Sequence, residues 1–410
     1  MNMLSIESPH GVPVAGYARE DLIPVAETFL QNFDTHGELG ASLCIRLGSE
    51  TVLDLWGGHV AAGGALWAEN TISVVFSCTK PATALCLHQL AARGALSLDD
   101  RVADHWPEYA QAGKAGTTLR MLLDHSAGQP ALRTPMKADC MIDHDYICDH
   151  LAREEPFWEP GTRSGYHPLT FGFLIGEVVR RVTGRSLGRY FRDEIAEPLG
   201  LDFSIGLPAD DEPRVSPIEL FRPAKDAQTT PFLLAVREKG SIPNLFVFNS
   251  GDWSIRGVNT PEGRAAEIGA ASGVTNARGL AGLFGALVDG GERIGLDPHT
   301  VAGFGRASTA THMDATFLAP SRFGPGFMLG MARRPTPSGD ESLVIGARAF
   351  GHVGMGGSLG LADPDAGFAL GYTMNRLGGG LLLNARGQSL VDATYRCLGY
   401  RSDRGGYWTR

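Results

Sequence analysis

Ser77 stands three residues before Lys80 in the stretch VVFSCTKPATALCLHQLAARG. Residues three apart share a helix face, so a hydroxyl and an amine would project together, about one turn apart. Pro81 fits only where a helix begins, because a first-turn amide has no helical partner to lose. The spacing places Ser77 at a helix N-terminus, directly after the β-branched strand Thr71–Phe76. Unpaired N–H groups and the positive end of the helix dipole meet there, and both favour a developing anion. A serine hydroxyl becomes a useful nucleophile only when a base removes its proton. A solvated lysine, with a pKa of about 10.4, is already protonated at neutral pH. Burial or a second cation would free the amine to act as that base. Serine–lysine pairs are a known route to nucleophilic catalysis. The alternative is a helix cap beside a solvated lysine, and S-x-x-K alone does not separate the two.

Further along, RSGYHPLTFGFLIGEVVRRVTG puts Tyr166 just ahead of a strongly apolar helix, behind the turn Pro160-Gly161. FGHVGMGGSLGLADP puts His352, Gly354 and Met355 at the start of an expected strand, and RMLLDHSAGQP supplies another ordered turn. Taken alone, Tyr166 fits a core-edge tyrosine and His352 a core histidine bonded to a carbonyl. Taken together, serine–lysine, tyrosine, then basic residue-x-glycine resembles the penicillin-recognising serine hydrolases. Among these the chain is most similar to the family VIII carboxylesterases, which look like class C β-lactamases. The resemblance covers nearly the whole chain. It runs through DLWGG (Asp54–Gly58), LLDHSAG (Leu122–Gly128), WEPGTRSGYH (Trp158–His167) and ASGVTNARGLAGLFGAL (Ala271–Leu287).

The resemblance implies that Ser77 attacks an acyl carbon while Lys80 and Tyr166 shuttle its proton. The neighbouring ammonium is expected to lower the phenol's pKa. Which of the two is the base stays open, since coupled groups share their titration. The backbone N–H groups of Ser77 and Met355 are implied as the oxyanion hole, and His352 takes the place of the lysine of K-T-G. Trp158, residues 202–263 and Trp253 are expected to shape the substrate pocket. The implied activity is hydrolysis of small carboxylic esters through an acyl-enzyme, with no metal or organic cofactor. Acyl transfer or amide hydrolysis on the same site is an alternative, and a silent binding or sensing protein a further one.

Where class C β-lactamases carry Y-x-N, Pro168 stands here and offers no side-chain donor. That loss, with histidine at position 352, weakens recognition of an anionic β-lactam and favours an ester. GGSLG (Gly356–Gly360) matches the nucleophile elbow G-x-S-x-G, but no histidine follows His352, so the α/β-hydrolase order is impossible for Ser358. CMIDHDYICDH (Cys140–His150) sets His144 and Cys148 four apart on one helix face, short of the three or four converging ligands zinc needs. Cys78 points away from the Ser77/Lys80 face and reads as packing. His125-Ser126 reads as a structural corner.

The elements that must position these residues follow from periodicity. Glu20–Phe33 has helical spacing, and Ala41–Gly58 reads as two strands around Gly48-Ser49. Helical patterns fill the middle, with Gly184 stopping one helix and Ser186 capping the next. Residues 202–263 read as a long, loop-rich excursion. A helix resumes at Ala277–Gly291, followed by strands in GFMLGMARR, ESLVIGARAFGH, GGSLGLADP and AGFALGYTMN and a closing helix in NARGQSLVDATYRCLGY. The turn Asp363-Pro364-Asp365-Ala366-Gly367 makes the last two strands a hairpin. The expected fold is α+β. An antiparallel sheet flanked by helices is built from both chain ends, residues 1–80 and 265–410. A mainly helical domain, residues 81–264, is inserted between them.

The chain has 410 residues, 43% of them hydrophobic, enough for a large core. Its net charge of −9 disfavours nucleic acid or an anionic membrane as partner. The first residues lack a basic region followed by an apolar stretch, and no apolar run is long enough to span a bilayer. Six scattered cysteines make no disulfide framework, so a cytoplasmic protein with reduced thiols is expected.

Overall fold

Strands from both ends of the chain are woven into one sheet. The computed structural model describes residues 3–7, 11–220, 229–254, 256–331, 343–380 and 382–410. Four strands come from the N-terminal end: β1 (Met3–Glu7), β2 (Pro13–Ala18), β3 (Gly40–Leu47) and β4 (Glu50–Gly58). Short strands β5 (Ser73–Val74), β6 (Phe203–Ile205) and β7 (Gly273–Thr275) form a separate sheet in the order β5-β7-β6. The C-terminal part supplies β8 (Thr309–Thr311), β9 (Ser321–Gly324), β10 (Phe327–Leu329), β11 (Phe350–Val353), β12 (Leu359–Asp363) and β13 (Phe368–Met374). The main sheet runs β1-β2-β4-β3-β13-β12-β11-β10-β9-β8, antiparallel at every pairing. Its two halves meet where β13 pairs with β3, from Phe368 opposite Leu47 to Met374 opposite Ala41.

Seven helices matter for the site: α1 (Ile23–Thr35), α2 (Thr79–Ala92), α3 (Leu119–Leu123), α4 (His144–Arg153), α5 (Thr170–Thr183), α6 (Ala277–Val288) and α7 (Ala385–Cys397). Helices cover both faces of the central strands, which explains why β13 is buried along its whole length. Its sequence, FALGYTM, shows which face is which. Gly371 approaches α6 so closely that a Cβ would lie 2.1 Å from the Ala277 carbonyl. Successive strand side chains alternate, so the small residues Ala369, Gly371 and Thr373 face α6. Phe368, Leu370, Tyr372 and Met374 face the other side, where the Phe368 ring meets Tyr395 of α7 at 5.2 Å. Helix α7 also packs along α1, joining the two chain ends. Among the described residues, no helix is long and apolar enough to cross a membrane. All six cysteines are free.

Several expectations meet the structure directly. The 41–58 hairpin and the hairpin across Asp363–Gly367 form as read. Ser186 accepts from the Arg189 amide as a cap, and Gly184 ends α5 in the left-handed conformation. The segment ESLVIGARAFGH pairs as a strand only from Phe350; at Val344 the Gln388 side chain takes both backbone hydrogen bonds instead. Residues 332–342, part of two expected strands, lie outside the described residues.

The excursion 202–263 is more helical than expected. Short helices span Pro231–Arg237, Ile242–Phe248 and Pro261–Ala265. Thr230, Ser241 and Thr260 cap them, each followed within two residues by proline. A hydroxyl cap before an early proline is a helix start, and that signal is present in TP, SIP and TP. Residues 221–228 and 255 of the excursion lie outside the described residues.

Candidate active site

Strand β5 delivers the chain to Ser77 through a sharp turn. Phe76 adopts a left-handed backbone, φ 44°, which a bulky residue rarely tolerates. Such strain persists only where its surroundings enforce it. Here the Phe76 ring packs edge-on against Trp253 at 6.4 Å. A 3₁₀ turn, Phe76–Cys78, then feeds α2 at Thr79. Backbone bonding in that turn begins with Cys78 N–H donating to the Val75 carbonyl. This leaves the Ser77 amide ahead of the first paired position.

Lys80 Nζ lies 3.1 Å from Ser77 Oγ, 2.8 Å from the Pro168 carbonyl and 3.0 Å from the Ala270 carbonyl. The side chain is fully buried. Burial pushes its pKa well below the lysine value, and no carboxylate is among the charges acting on it. The amine is held by two backbone carbonyls and the Ser77 hydroxyl. Pro168, which stands at the third position of Y-x-N, contacts Lys80 through its backbone oxygen.

Tyr166 precedes α5 and is held at its backbone. Both oxygens of Asp314 accept from the Tyr166 amide, at 3.0 and 3.1 Å, and Thr316 Oγ1 donates to its carbonyl at 2.7 Å. The ring stacks on Phe317 at 4.4 Å and packs on His125 at 4.7 Å. Lys80 Nζ lies 4.5 Å from the ring centre. The expected lowering of the phenol's pKa does not occur. Burial raises it, and a side-chain hydrogen bond with Ser77 opposes this only in part.

His352 lies on the short strand β11. Its Nδ1 is 2.8 Å from the Val353 carbonyl. A carbonyl only accepts, so Nδ1 carries the proton and Nε2 is an acceptor without a partner among the described residues. Burial pushes its pKa down to about 3, so this is a neutral imidazole, not a substitute cation. Gly354 follows because a Cβ there would sit 2.3 Å from the Val75 carbonyl. Only glycine lets the β11–β12 turn lie against the Ser77 segment. Met355, next in the turn, lines one cavity with Ser77 and Tyr166.

Apolar walls of that cavity come from Phe76, Leu169, Phe246, Trp253, Phe317 and Met355. Trp158, expected among the substrate contacts, is not in the lining. It stands behind Tyr166, packing on His167 and donating from Nε1 to the Ser126 carbonyl at 3.2 Å. Phe246 and Trp253 come from the segment 202–263 expected to shape the pocket, whereas sequence reasoning missed Asp314, Thr316 and Phe317. Asp314-Ala315-Thr316 is readable as an Asx turn, since Asp314 accepts from the Thr316 amide. Its grip on Tyr166 across the fold has no local signal.

Ser358, Cys78 and His125-Ser126 are structural. Ser358 is buried in the β11–β12 turn. Cys78 donates from Sγ to the His352 carbonyl at 3.1 Å, and burial raises its thiol pKa. Ser126 donates to Asp124 Oδ1 at 2.6 Å, and His125 supports the Tyr166 ring.

Comparison with known proteins gives a consistent family. The Beta-lactamase family profile matches residues 25–393. The esterase/beta-lactamase LipL of Mycobacterium tuberculosis is 34% identical over 382 residues, 90% of this chain and 84% of LipL. A penicillin-binding protein homolog from Caulobacter crescentus superposes with TM-score 0.79 at 34% identity, covering 94% of this chain and 99% of that one. A family VIII carboxylesterase structure gives TM-score 0.78 at 34% identity, with the same 94% and 99% coverage. With Ser77 beside buried Lys80 and Tyr166 on this fold, the chain belongs to the β-lactamase family and is a serine hydrolase of the β-lactamase and penicillin-binding-protein superfamily.

Proposed function

We propose that this hydrolase cleaves small carboxylic esters through an acyl-enzyme on Ser77. The observation that carries the reading is the meeting of Ser77 Oγ, buried Lys80 Nζ and the Tyr166 ring at one apolar cavity. In this reading the neutral Lys80 amine takes the Ser77 proton as Oγ bonds to the acyl carbon. The amides of Ser77 and Met355 stabilise the oxyanion. Tyr166 and the protonated Lys80 return a proton to the leaving alkoxide as the ester C–O bond breaks. Water then adds to the acyl-enzyme with the same groups in reverse.

An ester suits the site better than a β-lactam. Neutral His352 and Pro168 remove the cationic and amide donors that would bind an anionic β-lactam. Support also comes from the relatives named as an esterase/beta-lactamase and a family VIII carboxylesterase. The test compares p-nitrophenyl acetate, p-nitrophenyl butyrate and nitrocefin. Wild-type protein is expected to favour both esters over nitrocefin. Ser77→Ala is expected to lose roughly 10⁴-fold or more in turnover with its circular dichroism spectrum intact. Full residual ester turnover in Ser77→Ala would remove Ser77 from the mechanism.

A further inference from the structure

We propose that α4 and α5 carry a second site, one that binds a divalent cation of the zinc class through His144, Cys148 and Glu177. The sequence offers two of these ligands, four apart on α4; packing against α5 adds the third. His144 Nε2 lies 3.2 Å from Glu177 Oε2 and 3.3 Å from Cys148 Sγ, and all three ligand atoms fall within 4.8 Å of one another. Ligands at about 2.0–2.3 Å around a tetrahedral ion stand roughly 3.3–3.8 Å apart. Two of the three pairs therefore sit near that spacing already, and the third lies within 4.8 Å.

The surroundings orient the set. Glu177 is 1% exposed. Arg180 Nε donates to its Oε2 at 2.7 Å, while Arg180 Nη2 and Arg181 Nε donate to Oε1 at 2.9 and 2.7 Å. The carboxylate cannot swing, and a second lone pair on Oε2 stays directed toward His144. The two guanidinium charges are answered outside the set, by Asp145 at 3.2 Å and Glu108 at 3.0 Å. A bound ion would displace the Cys148 thiol proton to solvent and require the His144 proton on Nδ1. Thiolate and carboxylate together then match the charge of a dication.

Solvent reaches the set at His144. A cavity of about 700 Å³ borders His144, and its wall includes Asp139, Asp143, Asp145 and Glu267 against Lys137 and Arg180. That excess of acid draws cations, and a water from the cavity can complete the coordination. The cavity shares no lining residue with the one at Ser77. Mixed nitrogen, sulfur and oxygen donors select a borderline ion such as Zn²⁺ over Mg²⁺ or Ca²⁺. The ion would clip α4 to α5 and take no part in ester chemistry.

The test titrates the full chain, stripped with a chelator, with Co²⁺ and then Zn²⁺. One Co²⁺ per chain is expected, with a thiolate charge-transfer band in the near ultraviolet that Zn²⁺ abolishes. The melting temperature is expected to rise with Zn²⁺. Cys148→Ser is expected to lose the band, and His144→Gln to bind Co²⁺ at least about tenfold more weakly. Both should turn over p-nitrophenyl acetate at the wild-type rate. No band at saturating Co²⁺, or a band that survives Cys148→Ser, would overturn the proposal. If Cys148→Ser does not fold, unchanged Co²⁺ affinity in His144→Gln, where the ring is partly exposed, would overturn it equally.

Discussion

Burial, rather than a neighbouring charge, is the largest cause of the pKa shifts around Ser77. Lys80 has its pKa driven down by desolvation, and Tyr166 has its pKa driven up. In the proposed mechanism the amine serves as the base and the phenol relays a proton. The sign follows directly. A base with a depressed pKa is disabled by protonation on the acid side, so kcat/KM should fall as pH drops through the Lys80 pKa. His352 and His167 do not supply this limb, since burial holds both at about 3. We expect the acid limb to persist in His352→Asn. A kcat/KM with no acid limb at any pH where the fold stays intact would contradict a lysine base. The trio itself was legible from S-x-x-K, Pro81 and the ordered tyrosine. The direction of the phenol shift was not, because it depends on how deeply both groups are buried, which no local pattern encodes.

At the scale of elements, glycines decide how closely layers approach. Gly371 lets α6 lie on β13, and Gly354 lets the β11–β12 turn lie on the Ser77 segment. Gly371→Val would force a side chain into the Ala277 backbone, and we expect a loss of about 3 kcal/mol or more in urea unfolding. A variant within about 0.5 kcal/mol of wild type would mean that the α6–β13 contact yields easily. Hairpins were legible where a turn signal stood between alternating runs, as at Gly48-Ser49 and Asp363–Gly367. Strands β1, β2, β8 and β9 were not read, being short or lacking such a signal. In the excursion, the hydroxyl-then-proline caps were present but outweighed by the proline-rich composition.

Across the whole molecule, a buried pair joins residues 348 positions apart. Arg386 Nη1 donates to Glu38 Oε1 at 2.7 Å, and the Tyr372 hydroxyl donates to Glu38 Oε2. Arg386 is 3% exposed and Glu38 is 6% exposed. The same guanidinium donates from Nη2 to the Gly356 carbonyl at 3.0 Å, and Asn384 Nδ2 donates there at 2.9 Å. One cation therefore fastens α7 to the segment after α1 and steadies the turn that carries Met355. Arg386→Met would strand the Glu38 carboxylate, with an expected cost of about 3–5 kcal/mol. Equilibrium urea denaturation reads this directly, and a cost below about 1 kcal/mol would show that Glu38 finds other partners. No periodicity links position 38 to 386, which is why the sequence placed both chain ends in one sheet but not the bond that locks them.

The most direct test of the account is covalent. The full chain is treated with a fluorophosphonate, digested and mapped by mass spectrometry. A single adduct on the peptide carrying Ser77 is expected, and it should vanish in Ser77→Ala. No adduct, or an adduct on the peptide carrying Ser358, would contradict it.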